Sequence, residues 1–388
     1  MNFHSVGIIC DFAEENWPSM DLIADMLLQH LETDHVSGLR AIRLCPRMVP
    51  RFGSLPILRR TRLAYNADRL VNRMRDYPRW LRSRVDVFDL FHVIDHSYAH
   101  LVHQLPAGRA IVTCHDLDAF RCILDPAVHQ RSKLLEGLAR HALRGFRKAA
   151  WVTCPSAATR DALVVNRLFP ADRMTVVPNG VHPSCKAQPD PAADAEAMRL
   201  LGRKAGETIE LLHVGSTIAR KRIDVLLRVF AEVRTEFPTV RLVQVGGPFT
   251  PAQDSLLREL ELANSVDVLP RLERPVLAAV YRRAALVLQT SEAEGFALPV
   301  IEAMACGTPV LASDIPALRE VGGRAAMYCP MGEIAAWTES AIALLRERER
   351  EPESWCARRV AGLNQAKKFS WAEYAKKMIG IYQGLLTC

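Results

Sequence analysis

Short apolar runs, rich in β-branched residues, recur along the chain. Longer stretches in which apolar residues return every three or four positions separate most of them. The short runs read as buried strands: Val6–Cys10, Phe91–Asp95, Ala110–Cys114, Trp151–Cys154 and Met174–Val177. A second set is Ile209–Val214, Arg241–Val245, Val266–Leu269, Leu286–Gln289, Pro309–Ala312 and Ala326–Tyr328. Strands that alternate with helices predict an α/β protein built on doubly wound parallel sheets. The two sets part at Pro178-Asn-Gly-Val-His-Pro183 and the Pro-, Ala- and Asp-rich stretch after it, which reads as a linker or hinge. Two Rossmann-like domains are therefore expected, with ligands in a cleft at the carboxyl ends of their strands. Neither half shows G-x-G-x-x-G after its first strand, which argues against a nicotinamide or flavin site.

The bulk properties fit this picture. A chain of 388 residues exceeds one ordinary core, and 49% hydrophobic with 24% charged residues describes a globular protein. No uncharged apolar run is long enough to span a bilayer, and MNFHSVGIIC lacks the basic start of a secretory signal. Ten cysteines with no C-x-x-C suit reduced thiols, so a cytoplasmic location is expected. The 12 histidines form no ligand-spaced cluster, and no metal site is expected. The formal charge of +7 is uneven. Arg40 to Arg84 holds 13 Arg against Asp68 and Asp76, a local +11 that leaves the remainder at −4. Leu, Tyr, Phe and Trp80 interleave with those arginines. The composition fits an anionic membrane surface, on the inner face of the membrane, and equally a solvated basic face or an acidic partner. No nucleic-acid recognition motif accompanies the charge.

The richest stretch for chemistry is Ser291-Glu-Ala-Glu-Gly-Phe-Ala-Leu-Pro-Val-Ile-Glu-Ala-Met-Ala-Cys-Gly307. Pro299 suits a first helical turn and Gly307 a stop. Glu294 and Gly295 then fall in a strand-to-helix loop, and Glu302 points inward from the helix. The amides of Phe296, Ala297 and Leu298 gather at the helix N-terminus, where anions bind. Amides for phosphate beside carboxylates for hydroxyls suggest a sugar phosphate ester. In the same half, Gly215-Ser216-Thr-Ile-Ala-Arg220-Lys221 follows a predicted strand and offers two cations for a diphosphate, or is simply a solvated helix start. In the first half, His115 ends a strand as a possible donor, acceptor or cation, and Asp95 and His96 end another. No G-x-S-x-G supports a Ser-His-Asp hydrolase.

The order VVPNGV, HVGS…ARK, EGFALPVIEAMACGTPVLAS resembles the retaining nucleotide-sugar glycosyltransferases of the GT-B fold, glycosyltransferase family 4. TCHDL and CPSAATRDAL extend the likeness into the first half. The resemblance implies an acceptor-side domain over residues 1–178, completed by a C-terminal helix at 370–388, and a donor-binding domain over 179–369. It implies a hexose, of mannose or glucose type, moved with retention from a UDP- or GDP-linked donor to a hydroxyl. The nucleotide sugar would be a co-substrate, with no cofactor and no metal. Glu294 would contact the donor sugar, Glu302 the ribose, and Lys221 and Arg220 the diphosphate. His115 would sit near the transferred sugar. The Arg-rich segment would favour a lipid-linked acceptor, as in surface polysaccharide assembly. Two departures stand out: Ser216 replaces the family's usual Arg, and the loop after the first strand lacks the usual Gly-Gly pair. Trp17, Ser19 and Asp21 in that loop would shape an unusual acceptor pocket, or Trp17 would only pack. The same departures keep open a catalytically silent protein that binds a nucleotide sugar or a partner.

Overall fold

A computed structural model describes residues 4–33, 38–55 and 61–387. The chain divides into two compact units: Met1–Asn179 with Trp371–Cys388, and Gly180–Ser370.

The first unit is built on a six-stranded sheet, with β1 (His4–Ile9), β2 (Leu39–Leu44), β3 (Leu90–Val93), β4 (Ala110–Thr113), β5 (Trp151–Cys154) and β6 (Met174–Val176). Their order is β2-β1-β3-β4-β5-β6, and every pairing is parallel. β3 and β4 are buried along their whole length, as expected where helices cover both faces. β2 is the strand that hydrophobic patterning does not predict. It is an edge strand, buried only at Leu39 and Leu44, and it carries Arg40 and Arg43 outward. Charge at exposed edges discourages pairing with other chains, and it also disguises a strand as a basic surface run.

The helix Trp371–Leu386 belongs to this unit. Trp371, Tyr374, Met378 and Tyr382 are buried at spacings of three and four residues, which form one helical face. The Tyr382 hydroxyl lies 2.7 Å from His92 Nδ1, His92 Nε2 lies 2.7 Å from Thr113 Oγ1, and Thr113 Oγ1 lies 2.7 Å from Thr153 Oγ1. Burial drives the His92 imidazole down to about 3, so this chain of bonds runs through a neutral ring.

Part of the basic segment is paired within its own unit. The Arg43 guanidinium meets Asp25, Arg51 grips Asp76 with two bonds of 2.7 and 3.1 Å, and Arg69 and Arg73 both face Glu15. Arg73 and Arg84 lie over the rings of Tyr98 and Trp80, each 4.0 Å from the centroid. The Asp68 carboxylate accepts the amides of Arg51, Phe52 and Gly53. Arg40, Arg47, Arg62, Arg75, Arg79 and Arg82 remain exposed, near the exposed Val49, Phe52, Leu55 and Leu63 in sequence. Arg59 and Arg60 lie outside the described residues.

The second unit has its own six-stranded parallel sheet: β7 (Glu210–Val214), β8 (Arg241–Val245), β9 (Val266–Leu269), β10 (Leu286–Gln289), β11 (Val310–Ser313) and β12 (Met327–Cys329). The order is β12-β11-β10-β7-β8-β9, so the topology reverses between β10 and β7. In open α/β sheets ligands bind where the order reverses, at the carboxyl ends of the strands. The loops after β7 and β10 meet at that point. At the opposite end of the sheet, Glu210 and Asp267 are clamped by Arg203, Arg283 and Arg241.

Candidate functional site

The β7 loop begins at Gly215, passes a single turn at Ala219–Lys221, and enters the helix Ile223–Glu236 through Arg222, whose φ of 49° is left-handed. Gly246 lies beneath it. A Cβ at Gly246 would stand 2.4 Å from the Gly215 carbonyl oxygen, and its φ of 129° excludes other residues in any case. The loop is fixed to the β10 side by three bonds. The Glu292 amide donates to Arg220 O at 2.9 Å, Thr290 Oγ1 to Lys221 O at 2.9 Å, and Arg220 Nη1 to Ala293 O at 2.8 Å.

These bonds bring Lys221, Arg220 and Glu294 together. Lys221 Nζ lies 2.5 Å from Glu294 Oε1, and Arg220 Nη1 lies 3.1 Å from Oε2. Gln289 Nε2, at the end of β10, donates to Glu294 Oε1 at 2.8 Å. The Lys221 and Glu294 side chains are only 10% and 6% exposed. Burial alone would raise the Glu294 carboxyl, but the Lys221 and Arg220 charges overcome it and hold it at about 2. Beneath them His213 Nδ1 meets Gln244 Oε1 at 2.6 Å, and Gln244 Nε2 donates to Gly215 O at 2.8 Å. Burial, with the Lys221 charge, lowers His213 to about 4, so it is neutral.

Ala297 introduces the helix Leu298–Ala305 with φ 64° and ψ 70°. A left-handed alanine costs about 1–2 kcal/mol, so the surrounding packing must hold it there. No side chain caps this helix, and Pro299 removes one donor from its first turn. The amides of Phe296, Ala297 and Leu298 donate to no acceptor among the described residues. Glu302, one turn further on, is 2% exposed. Its Oε1 takes Arg274 Nη1 at 3.0 Å and its Oε2 takes the Tyr281 hydroxyl at 3.1 Å. Burial raises the Glu302 carboxyl more than Arg274 and Tyr281 lower it. Sequence reasoning missed Arg274, Tyr281, Gln289 and the His213–Gln244 pair. Arg274 and Tyr281 are seven residues apart on one helix and so share a face. Gln289 and His213 are polar residues within apolar strands. Those were the available signals.

Ser216 is exposed in the β7 loop, and Arg220, four residues on, is the guanidinium that reaches Glu294. In the first unit, His115 follows β4, and its Nε2 lies 2.7 Å from the Ile94 carbonyl oxygen. That oxygen only accepts, so Nε2 carries the hydrogen, and Nδ1 of the neutral ring is an acceptor. Burial holds the His115 pKa below its usual value. His96 lies between Asp95 and Asp116, 3.4 and 3.7 Å from their carboxylates. Trp17 is 48% exposed and donates to Glu15 Oε2 at 3.0 Å. Ser19 is exposed and Asp21 half-buried in the first turn of the helix Pro18–Thr33. Neither Trp17 nor Ser19 bonds to Asp95, His96 or His115 among the described residues. In the glycine-free loop, Asn16 takes the left-handed conformation, with φ 56°. No cluster of metal-ligating side chains occurs among the described residues.

Two units, each built on a six-stranded parallel sheet, match the GT-B class of folds. Solved structures agree. Sucrose-phosphate synthase from Thermosynechococcus elongatus superposes with a TM-score of 0.74 at 19% identity, covering 99% of each chain. HepE of Anabaena, solved with UDP-glucose, does so at 0.71 and 15% identity, over 98% of this chain and 99% of that one. The model of Glycosyltransferase Family 4 matches residues 30–184, and that of Glycosyl transferases group 1 matches residues 208–347. The chain belongs to this family of GT-B glycosyltransferases. A D-inositol 3-phosphate glycosyltransferase of Nocardia farcinica is 35% identical over 55% of this chain and 48% of its own length. The chain thus spans about half the length of such curated relatives. O-antigen chain mannosyltransferase B of Escherichia coli is 26% identical over 82% of this chain and 84% of its own.

Proposed function

We propose that the protein transfers a hexose, of mannose or glucose type, from a UDP- or GDP-linked donor to a hydroxyl, with the anomeric configuration retained. The observation that carries this reading is the Lys221–Glu294 pair, with Arg220 beside it, at the switch point of the second sheet. Glu294 begins a short segment, Glu294 to Leu298, whose last three amides, at a helix N-terminus, donate to no acceptor among the described residues.

In the reaction the bond from the anomeric carbon to the diphosphate oxygen breaks, and negative charge gathers on the leaving group. Lys221, Arg220 and the amides of Phe296 to Leu298 are placed to stabilise it. These groups are fixed before the donor arrives, so little reorganisation opposes the transition state. Their charge also makes a metal ion unnecessary. Glu294 accepts hydrogen bonds from sugar hydroxyls, and its value of about 2 keeps it ionised. Glu302 takes the ribose hydroxyls. The acceptor oxygen bonds to the face that the diphosphate leaves, and its proton passes to the departing phosphate oxygen. His115, a neutral acceptor at Nδ1, orients a hydroxyl of the transferred sugar.

The acceptor reading favours a lipid-linked intermediate of surface polysaccharide assembly, met at the inner face of the membrane. The exposed arginines of the 40–84 segment and its exposed Val49, Phe52, Leu55 and Leu63 support this. No helix of the described residues is long and apolar enough to cross a membrane.

The test is a thermal-shift panel of UDP- and GDP-hexoses. The donor that shifts the melt is then incubated with lipid-linked acceptors, and the product anomer is read by NMR. Transfer with retention is expected. Donor binding without hydrolysis or transfer would leave a catalytically silent binder, and an inverted product would overturn the retaining assignment.

A further inference from the structure

The carboxyl edge of the first sheet holds a second polar cluster that the donor reading does not use. Asp11 leaves β1 and Asp95 leaves β3, and these strands are neighbours in the sheet. Asp11 is 4% exposed, and neither carboxyl oxygen has an amide or hydroxyl donor among the described residues; the group in reach is the Asp95 carboxyl. Asp95 is also buried but well served. It accepts the Ser97 amide at 2.8 Å and the Ser97 hydroxyl at 2.6 Å, and it faces His96 Nδ1 at 3.4 Å. Glu15 is saturated by Arg69 at 3.0 Å, Arg73 at 3.6 Å and the Tyr98 hydroxyl at 2.8 Å. His96 Nε2 is a further buried polar atom without a hydrogen bond. Buried polar groups are nearly always paired in folded proteins. A carboxyl that meets only a second carboxyl, beside a ring nitrogen without a hydrogen bond at the ligand-binding edge of a doubly wound sheet, marks a place where a polar ligand completes the bonding.

We propose that Asp11, with Asp95 and His96 beside it, binds hydroxyls of the acceptor, and that the acceptor presents an uncharged polyol there rather than a phosphorylated one. This rests on the transferase reading above. Charge argues for the second half of the proposal. Asp11, Glu15, Asp95 and Asp116 are the acids near this edge, while the Arg69 and Arg73 guanidiniums are turned onto Glu15. A phosphate would meet carboxylates here before any uncommitted cation. Hydroxyl groups both donate and accept, so they satisfy Asp11 and His96 at once. Burial, and then the Asp95 charge, raise the Asp11 carboxyl well above the usual carboxylate range.

The test uses the whole chain and the donor that shifts its melting temperature. Acceptor probes are offered in pairs that differ by a phosphate: myo-inositol against myo-inositol 1-phosphate, and methyl mannoside against mannose 6-phosphate. Product is measured by mass spectrometry, and binding by saturation-transfer NMR where no product forms. At least one plain polyol should be used or bound, and its phosphate about tenfold more weakly or worse. Asp11→Asn and Asp11→Ala should raise the acceptor KM or Kd about tenfold or more, with kcat and the donor-induced shift little changed. Asp11→Asn should also raise Tm, because it removes the cost of burying a carboxyl beside Asp95, whereas a packing role predicts a fall. Preference for the phosphorylated partner, no bound polyol in the presence of a bound donor, or an unchanged acceptor constant in Asp11→Asn would overturn the proposal. A chain that binds no nucleotide sugar fails the transferase reading instead, and the donor arm shows this by itself.

Discussion

Lys221 and Glu294 stand 73 residues apart in the chain and meet at 2.5 Å, almost closed off from water. Each is the other's compensation. Removing Glu294 strands the buried Lys221 ammonium, at a cost on the order of 3 kcal/mol, whereas removing Lys221 leaves Glu294 on Arg220. Lys221→Ala and Glu294→Ala should each lower transfer by about a hundredfold to a thousandfold. In urea titrations the double variant should be more stable than Glu294→Ala alone. Turnover near the wild-type rate in either single variant would sink the donor assignment.

The same pair sets an acid limit. The Glu294 carboxyl lies at about 2 in the folded chain against 4.5 as a free group, so ionisation favours the fold. That contribution is complete above pH 4.5 and fades as pH falls toward 2. Glu294→Gln has no such contribution to lose. The urea midpoint of the wild type should therefore drop further than that of Glu294→Gln between pH 5 and pH 3, and parallel drops would refute the coupling.

Gly246→Ala tests whether the β7 loop is held from below. The added Cβ would stand 2.4 Å from the Gly215 carbonyl oxygen, and backbone cannot step aside as a side chain can. Stability should fall by about 2 kcal/mol or more. Donor affinity, measured by calorimetry on the folded fraction, should weaken with it, because Arg220 and Lys221 are carried on the displaced loop.

Tyr382→Phe separates fold from chemistry. It leaves one nitrogen of a fully buried, neutral His92 without its partner and should cost about 1–3 kcal/mol by denaturant midpoint. Activity per folded molecule should stay at the wild-type level, and a selective loss of turnover would show that this helix reaches the site.

Vesicle flotation tests the basic segment. At low salt the protein should rise with anionic vesicles and stay down with neutral ones. Leu63→Asp combined with Arg62→Glu should reduce flotation several-fold. Both residues are exposed, and Leu63 is 80% so, which spares the core. Equal recovery on neutral vesicles would point away from charge.

Eleven of the twelve strands are legible because each is an apolar run closed by turn residues. β2 is not, since half its positions face water at an edge and two of those are arginines. Glu294, Lys221 and Arg220 were legible as candidates because they sit in loops directly after strands. Their mutual contact was not, because pairing across 73 residues follows from sheet order, which local pattern does not encode. Arg274 and Tyr281 stayed hidden for a related reason. On their own helix they read as ordinary surface and core, and only Glu302 on a different helix gives them a shared task. The Arg-rich segment shows the converse error. Its charge was plain, but Arg43, Arg51, Arg69 and Arg73 are spent on Asp25, Asp76 and Glu15 within the protein.

The helix Trp371–Leu386 gives the two units different histories during synthesis. The second is one unbroken stretch, Gly180–Ser370, and can close as soon as it has left the ribosome. The first begins earlier and finishes later, because Tyr374, Met378 and Tyr382 are the last pieces of its core to be made. Until they arrive, His92 and the sheet around it wait with one side uncovered. A chain cut before Trp371 would carry a complete second unit, while its first unit lacked one face of its core.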